Sequence, residues 1–168
     1  MKCVIQIRGE GPKKANLMIV GEAPGREEVL KKKPFVGRSG RFLSKSLHAT
    51  GIHREKSYVT NIVKFRPTKK VGDKLKDRAP THEEISACLP VFNKELRSVS
   101  PRIVLLLGNS SLKAILDRNY TVGKDRGKEI KRGKVTYIAT FHPASAMRNR
   151  KQRKMFLEDL KKLKKLLS

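Results

Sequence analysis

Two short polar turns, far apart in the chain, carry the side chains best suited to chemistry. The apolar run Leu17–Val20 leads into residues 21–25 (GEAPG), a tight turn that contains one acid, Glu22. Near the other end, the strand-like segment Val135–Thr140 leads into residues 141–144 (FHPA), which contain His142. Two strand ends, one with an acid and one with a histidine, suggest a single site built from distant sequence.

The charge of the chain indicates what that site faces. Lysine and arginine total 40 against 15 acidic residues, a formal net charge of +25. Self-repulsion of this size weakens a compact state. Nucleic acid is the favoured partner, because spread positive charge displaces condensed counterions from phosphates. A solvated lysine-rich surface is the main alternative, and an anionic membrane is a weaker one.

Length and composition bound the class of protein. A chain of 168 residues corresponds to about one domain, so we predict a single domain over residues 1–168. No apolar run approaches the roughly 18 residues that span a bilayer, and the N-terminus lacks the apolar core of a signal peptide. We therefore expect an intracellular protein of the cytoplasm or nucleoid, without a membrane partner. Cys3 and Cys88 are expected to be reduced and independent, with a single disulfide as the alternative.

Apolar segments alternate in length and period along the chain, which predicts alternating strands and helices. The predicted strands are Leu17–Gly21, Tyr58–Val63, Ile103–Leu107 and Val135–Thr140; the predicted helices are Gly40–Thr50, Thr81–Ser98, Ser110–Asp117 and Gln152–Leu167. Thr81 and Glu84 form a capping-box pattern at one helix start. The alternation predicts an α/β fold, a three-layer α/β/α arrangement around a central four-stranded parallel sheet. The lysine-rich insertion at about 68–79 lacks apolar periodicity and is predicted to be a mobile basic loop.

Polar residues stand at the end of each predicted strand. In open parallel sheets, ligands bind outside the carboxyl ends of the strands. Glu22, Asn61, Asn109 and His142 each end or follow one of the four strands. We therefore expect these four residues at one edge of the sheet.

Four motifs in this order give the chain a recognisable pattern. They are GEAPG at 21–25, PFVGRSG at 34–40, YVTNIVK at 58–64 and FHPA at 141–144. With the helix start at Pro80–Thr81 and the C-terminal helix, the pattern resembles the family 4 uracil-DNA glycosylases from about Gly9 to Leu166. The resemblance implies a uracil-DNA glycosylase-like fold and a DNA repair enzyme that hydrolyses the N-glycosidic bond of uracil, leaving an abasic site. It also implies base flipping, and a monomer acting on single- or double-stranded uracil-containing DNA.

The resemblance assigns roles to residues around the base. Phe35 would stack on the flipped uracil, and the Asn61 amide would pair with its O4 and N3–H edge. His142 would donate to O2, where negative charge grows as the bond breaks. Gly21 and Gly25 would shape the floor of the pocket. Taken alone, these residues have ordinary interpretations as a core phenylalanine, a loop-bonded asparagine and a turn histidine.

The attacking water lacks an obvious base. Related branches of the superfamily place an acid at the position of Ala23, so a direct general base is absent there. We expect the water to be held by Glu28 and by backbone groups of the Glu22–Gly25 turn. Glu27 is expected to be a solvated charge at a helix start.

A second group of residues is expected to contact DNA. Residues 143–148 match the segment that enters the minor groove in this superfamily, with Met147 as the apolar wedge and Arg148 as a phosphate contact. The other predicted phosphate-side residues are Arg38, Ser39, Lys64, Lys69, Lys70, Asn109, Ser110 and Arg126. Each of these could individually be a solvated surface group.

The chain departs from the family in its cysteines. Family 4 members hold a [4Fe–4S] cluster on four cysteines. Only Cys88 matches a ligand, Phe65 stands at the third position, and Cys3 lies too close to Gly9 to align with the first two. We therefore expect no iron–sulfur cluster, no metal and no other cofactor, with Phe65 packing into the vacated space.

The insertion at 68–79 is the second departure. A related branch carries its insertion at this place and traps uracil covalently on a loop histidine. This chain has no histidine there, and His82 just beyond is expected to face solvent. Ordinary turnover is therefore expected.

Two other functions stay open on the sequence. One is a glycosylase for another deaminated base, hypoxanthine or xanthine; Asn61 favours uracil without excluding this. The other is a non-catalytic DNA-binding protein that keeps the fold. The retained set of Glu22, Phe35, Asn61 and His142 weighs against it, because a pure binder has no need of them all.

Overall fold

Seven strands and seven α-helices follow one another in the computed structural model, which describes residues 1–168. The strands are β1 (Leu17–Gly21), β2 (Tyr58–Asn61), β3 (Thr68–Val71), β4 (Lys74–Asp77), β5 (Ile103–Leu107), β6 (Ile130–Arg132) and β7 (Val135–Thr140). The helices are α1 (Arg26–Lys31), α2 (Arg38–Ala49), α3 (His82–Val99), α4 (Asn109–Ile115), α5 (Val122–Asp125), α6 (Pro143–Arg148) and α7 (Arg150–Leu167). A short 3₁₀ helix spans Arg54–Lys56.

The central sheet has five strands in the order β2-β1-β5-β7-β6. The four predicted strands are present and mutually parallel. The sheet is larger than the predicted four strands, because β6 adds antiparallel to β7 at one edge. This strand of three residues carries two exposed basic side chains, and its pattern is too short and too polar to be distinguished from a loop.

Helices cover both faces of the sheet, so the α/β/α layering is confirmed. Ile19, Leu105 and Ile138 point to one face, where they pack with residues of α2 and α7. Val20 and Leu106 point to the other face, where they pack with α3 and α4. Successive residues of the central strands therefore serve two separate cores, as expected for strands buried on both faces.

Helix boundaries follow local signals where those signals exist. Thr81 Oγ1 accepts from the Glu84 amide at 3.2 Å, and the Glu84 carboxylate accepts from the Thr81 amide at 2.8 Å, so the predicted capping box is confirmed. The helices α1, α5 and α6 were not predicted, since four to six residues are too few to show a helical period. No helix of the chain combines the length and apolar character needed to cross a bilayer.

The prediction of a mobile loop at 68–79 is wrong. Residues of β3 and β4 pair antiparallel across the two-residue loop Gly72–Asp73, and Gly72 takes a φ of 60°. The base of this hairpin is tied down by Arg78, which donates to the Thr68 carbonyl at 3.0 Å and to the Glu84 carboxylate of α3. The hairpin therefore projects from a fixed base beside the carboxyl end of β2.

The prediction of two independent, reduced cysteines is also wrong. Cys3 and Cys88 form a disulfide with a Cα–Cα distance of 4.8 Å, which joins the N-terminal segment to α3. The N-terminal segment reaches this position because the amides of Gln6 and Ile7 both donate to the Lys64 carbonyl. A separation of 85 residues leaves no local signal from which this pairing could be read.

Candidate active site

The carboxyl ends of β1, β2 and β7 open into a cleft of about 400 Å³. Its lining residues are Glu22, Ala23, Pro24, Gly25, Glu28, Phe35, Ser39, Asn61, Pro67, Asp77, Arg78, Ala79, His142, Ala144 and Arg148. Three of the four strand-end residues thus meet, as the sheet topology predicts. The fourth, Asn109, lies outside the cleft, because its Oδ1 accepts from the Val122 amide at the start of α5.

Phe35 forms one wall of the cleft in a constrained loop. It is 5% exposed, has a φ of 50°, and its ring centroid lies 6.4 Å from that of His142. The Arg54 guanidinium holds the loop by donating to the carbonyls of Phe35 and Pro34, each at 2.8 Å. A non-glycine residue in this backbone region needs such support, and Arg54 supplies it.

Gly21 forms the floor where β1 ends. A Cβ at this position would lie 2.5 Å from Asn61 Oδ1 and would overlap the ring of Phe35. A side chain at Gly21 therefore cannot coexist with these two neighbours. The missing side chain leaves space between an aromatic ring and an amide.

Asn61 is fixed by a buried ion pair behind it. Its side-chain amide has no partner in the chain and is open to the cleft, although the residue is 5% exposed. The backbone carbonyl of Asn61 accepts a hydrogen bond from Lys64 Nζ at 2.5 Å, and the same ammonium contacts Glu95 Oε2 at 2.6 Å. Burial lowers the pKa of Lys64, while Glu95 opposes that shift. The assignment of Lys64 to a phosphate is wrong, because its ammonium is buried and its donors are taken.

His142 presents a neutral donor to the cleft. It is the N-cap of α6, and its Nδ1 accepts from the Ala144 amide at 3.1 Å. Burial, with a smaller effect of the Arg148 guanidinium, lowers the pKa of His142 to about 4. The ring is therefore neutral at pH 7, with its proton on Nε2, which is open to the cleft.

Glu28 is the buried acid of the cleft. Its carboxylate lies against the N-terminus of α2, where a Cβ at Gly37 would be 3.0 Å from Oε2. Burial raises the pKa of Glu28, nearby Glu27 and Asp77 add to this, and backbone amides including that of Gly37 oppose it. Glu27 is a surface charge, as expected, and pairs with Lys31 and Arg41.

The predicted DNA-contact residues separate into two groups. Ser39 and Arg148 line the cleft, while Arg38 is exposed at the start of α2 and Met147 is half-buried on α6. Ser110 faces a different groove, which it shares with His82 of α3. His82 is exposed, as predicted.

Arg126 is not a free phosphate contact. Its guanidinium pairs with the buried carboxylate of Asp159 at 2.6 Å and lies 3.6 Å from Glu158. The assignment of Arg126 to DNA is therefore wrong, because the side chain joins α7 to the end of α5.

Four lining residues were missed by sequence reasoning: Pro67, Asp77, Arg78 and Ala79. All four belong to the base of the β3–β4 hairpin. A Gly-Asp pair between two short runs is a hairpin signal, and Gly72–Asp73 fits it. Arg54 carries no comparable signal, since one arginine among 40 basic residues is not distinctive.

The residues present do not fit a four-thiolate iron–sulfur cluster. The two cysteines of the chain are bonded to each other. Phe65 is half-buried against the core that contains Cys88. No group of three or more His, Cys, Asp or Glu side chains is arranged to hold a metal ion.

Comparison with known proteins agrees with this geometry. Residues 8–164 match the uracil DNA glycosylase superfamily. The chain is 37% identical to a type-4 uracil-DNA glycosylase of Saccharolobus solfataricus, an alignment covering 96% of this chain and 76% of that protein. Identity is 36% with the type-4 enzyme of Sulfurisphaera tokodaii (95% and 74% covered) and 35% with that of Archaeoglobus fulgidus (95% and 81%). By its motifs, its sheet and these relatives, the chain belongs to the uracil DNA glycosylase superfamily.

Proposed function

We propose that the cleft receives a uracil nucleotide extruded from DNA and that the protein hydrolyses its N-glycosidic bond, leaving uracil and an abasic site. One observation carries this function: the Phe35 ring and the open polar atoms of Asn61 and His142 meet in one cleft. We propose that the protein acts on DNA as a monomer.

Base recognition follows from the first two residues. Stacking of a base on an aromatic face contributes about 1–3 kcal/mol, and Phe35 offers such a face beside the gap that Gly21 leaves. The Asn61 amide can accept from uracil N3–H and donate to O4 at once. Cytosine presents the opposite pattern at these two atoms, so the same amide orientation disfavours it.

His142 stabilises the departing base. As the bond between C1′ and N1 breaks, its electron pair moves onto uracil and negative charge grows on O2. The neutral Nε2–H is in place before the reaction, because the Ala144 amide fixes the other ring nitrogen as an acceptor. A fixed donor aimed at developing charge lowers the barrier more than it stabilises the substrate.

Glu28 holds the attacking water in this scheme. Loss of the base leaves positive charge on the sugar, and a carboxylate nearby both stabilises that charge and accepts the proton of the water. Ala23 lines the cleft but offers no acid, whereas Glu28 is directed into the same cleft. Backbone groups of the Glu22–Gly25 turn complete the water site.

Glu28→Gln should lower the rate of uracil release at pH 7 by about 100-fold, because the proton acceptor is lost. In the wild type, the rate should fall as acid protonates Glu28, with a midpoint above its ordinary value of 4.5. The variant should lack this fall until His142 protonates near pH 4. Rates of release between pH 4 and 8 provide the measurement.

Folding serves as the control for this variant. A raised pKa means that the folded protein binds the Glu28 proton more tightly than the unfolded chain, so stability is lost as pH rises through that pKa. At pH 7 the glutamine variant should therefore unfold at no lower temperature than the wild type. If the rate of uracil release by Glu28→Gln fell at acid pH as it does in the wild type, Glu28 would be excluded as the titrating group.

The β3–β4 hairpin supplies a basic face for the DNA backbone. Lys69 stands directly opposite Lys76, and Lys74 lies opposite Val71 on the same face. None of these three lysines has a salt-bridge partner, and like charges directly opposite each other destabilise a hairpin. Phosphates would relieve this repulsion. We expect Ser39 and Arg148, which line the cleft, to contact phosphates of the same DNA strand. Arg38, exposed at the start of α2, is proposed as a further phosphate contact, and Met147 on α6 is the proposed wedge.

We also propose that the active protein contains no iron–sulfur cluster. Protein purified without oxygen should show no absorbance band near 400 nm, which such clusters produce. Thiol titration in denaturant without reductant should find Cys3 and Cys88 blocked by their disulfide. A band near 400 nm together with bound iron would overturn this proposal.

A panel of labelled oligonucleotides tests the function itself. Each carries uracil, hypoxanthine or thymine at one position, in single strands and in pairs with adenine or guanine, and alkali then cleaves abasic sites. Cleavage of the uracil strands alone supports the proposal. Cleavage at hypoxanthine instead would assign another base, and binding without any cleavage would indicate a non-catalytic protein.

A further inference from the structure

Asp77 brings a second carboxylate to the turn that begins the cleft. It ends β4 and lines the cleft together with Glu28 and Gly25. A Cβ placed on Gly25 would lie 3.7 Å from Glu28 Oε1 and 3.8 Å from Asp77 Oδ2. The two carboxylates therefore converge on one small space, which exists because residue 25 has no side chain.

The hairpin holds Asp77 in this position without using its full bonding capacity. Arg66 Nε donates to Asp77 Oδ1, which leaves Oδ2 without a partner on the side of Gly25. Asp77 also stands opposite Thr68 at the base of the hairpin, where Arg78 fixes the backbone. The position is thus built by two anchoring arginines, and one carboxylate oxygen remains available.

We propose that Asp77 is the second carboxylate that holds the attacking water, in the space between Glu28 and Gly25. The proposal rests on the proposed glycosylase function. In the step, the C1′–N1 bond breaks with its electron pair on uracil, and the water oxygen bonds to C1′. The water proton passes to the carboxylate pair and then to the uracil anion, so the enzyme returns to its starting state.

This arrangement gives the inserted hairpin a part in the chemistry. Two carboxylates facing the sugar stabilise the positive charge that develops at C1′. An acid at the Ala23 position would belong to the turn after β1. Here the second acid comes from the end of β4 and reaches the same turn beside Gly25.

The test compares Asp77→Asn with Asp73→Asn, which removes the same charge from the tip of the same hairpin. Single-turnover release of uracil, with enzyme in excess over DNA, isolates the chemical step. Asp77→Asn should lower this rate by about 10- to 100-fold, and Asp73→Asn should leave it within about threefold of the wild type. Binding of DNA by Asp77→Asn should be unchanged or tighter, because a negative charge near phosphates is lost.

Arg66→Met separates the positioning of water by Asp77 from the anchoring of the hairpin. It breaks the Arg66–Asp77 ion pair but keeps the Asp77 carboxylate. A loss in Arg66→Met equal to that in Asp77→Asn would overturn the proposal, as would an undiminished rate in Asp77→Asn. Gly25→Ala adds an independent readout: its φ of −95° accepts alanine, so the methyl group should displace the water and slow release. Failure of the wild type to release uracil would instead contradict the proposed function, whatever the variants do.

Discussion

Replacing His142 with alanine is expected to lower the rate of uracil release from bound DNA by about 100- to 1,000-fold, the usual cost of removing one donor from a site of developing negative charge. The reason lies in the ring's protonation. Burial lowers its pKa to about 4, and the Ala144 amide occupies Nδ1, so one neutral donor, Nε2–H, faces the cleft. Single-turnover release measured by alkaline cleavage gives the rate.

His142→Asn is the matched control for that loss. The alanine variant also removes the N-cap of α6, which costs on the order of 1 kcal/mol of stability. Asparagine is a good N-cap, but its amide is too short to reach the position of Nε2. The asparagine variant should therefore be as stable as the wild type and as slow as the alanine variant. Release by His142→Asn at the wild-type rate would show that the histidine serves only as a cap.

Asn61→Ala is expected to lower uracil release by about 100-fold or more. Without the amide, N3–H and O4 of the extruded base would be buried unpaired, at about 1–3 kcal/mol each. The Asn61 side chain makes no hydrogen bond within the protein, and the backbone carbonyl of residue 61 keeps its contact with Lys64 in the variant. The fold should therefore be unaffected. Release from uracil-containing single strands and the thermal unfolding midpoint are the two measurements.

Asn93→Ala provides the control for this variant. Asn93 is exposed on α3 and lies outside the cleft, so the same truncation there should leave release unchanged. If Asn61→Ala released uracil as fast as Asn93→Ala, Asn61 would have no part in recognising the base.

The meeting of Glu22, Asn61 and His142 could be predicted because it depends on topology. Each follows or ends an apolar strand, and parallel strands bring their carboxyl ends to one edge. Asn109 satisfies the same rule and still lies outside the cleft. Its side chain instead accepts a hydrogen bond from the Val122 amide. Strand order therefore predicts the edge at which a residue lies, and local hydrogen bonding decides where its side chain goes.

Lys64 and Asp77 show what could not be predicted. A lysine in a very basic chain is expected in solvent, yet Lys64 is buried, since Glu95 on α3 compensates its charge from 31 residues away. Asp77 enters the cleft because β3 and β4 pair, and its own segment shows no apolar pattern. Both outcomes depend on contacts between segments that no local window of sequence contains. The Cys3–Cys88 disulfide belongs to the same class.

Hydrolysis of the N-glycosidic bond of uracil in this cleft must yield two products in one turnover, free uracil and an abasic site. Wild-type protein in excess is mixed with a single-stranded oligonucleotide that carries one labelled uracil, and free uracil and abasic sites are quantified in the same sample. We expect equal amounts of the two products, rising together to the amount of DNA added, and neither product with His142→Asn on the same timescale. DNA bound by the wild type with no free uracil would show that the cleft is not a uracil-DNA glycosylase site.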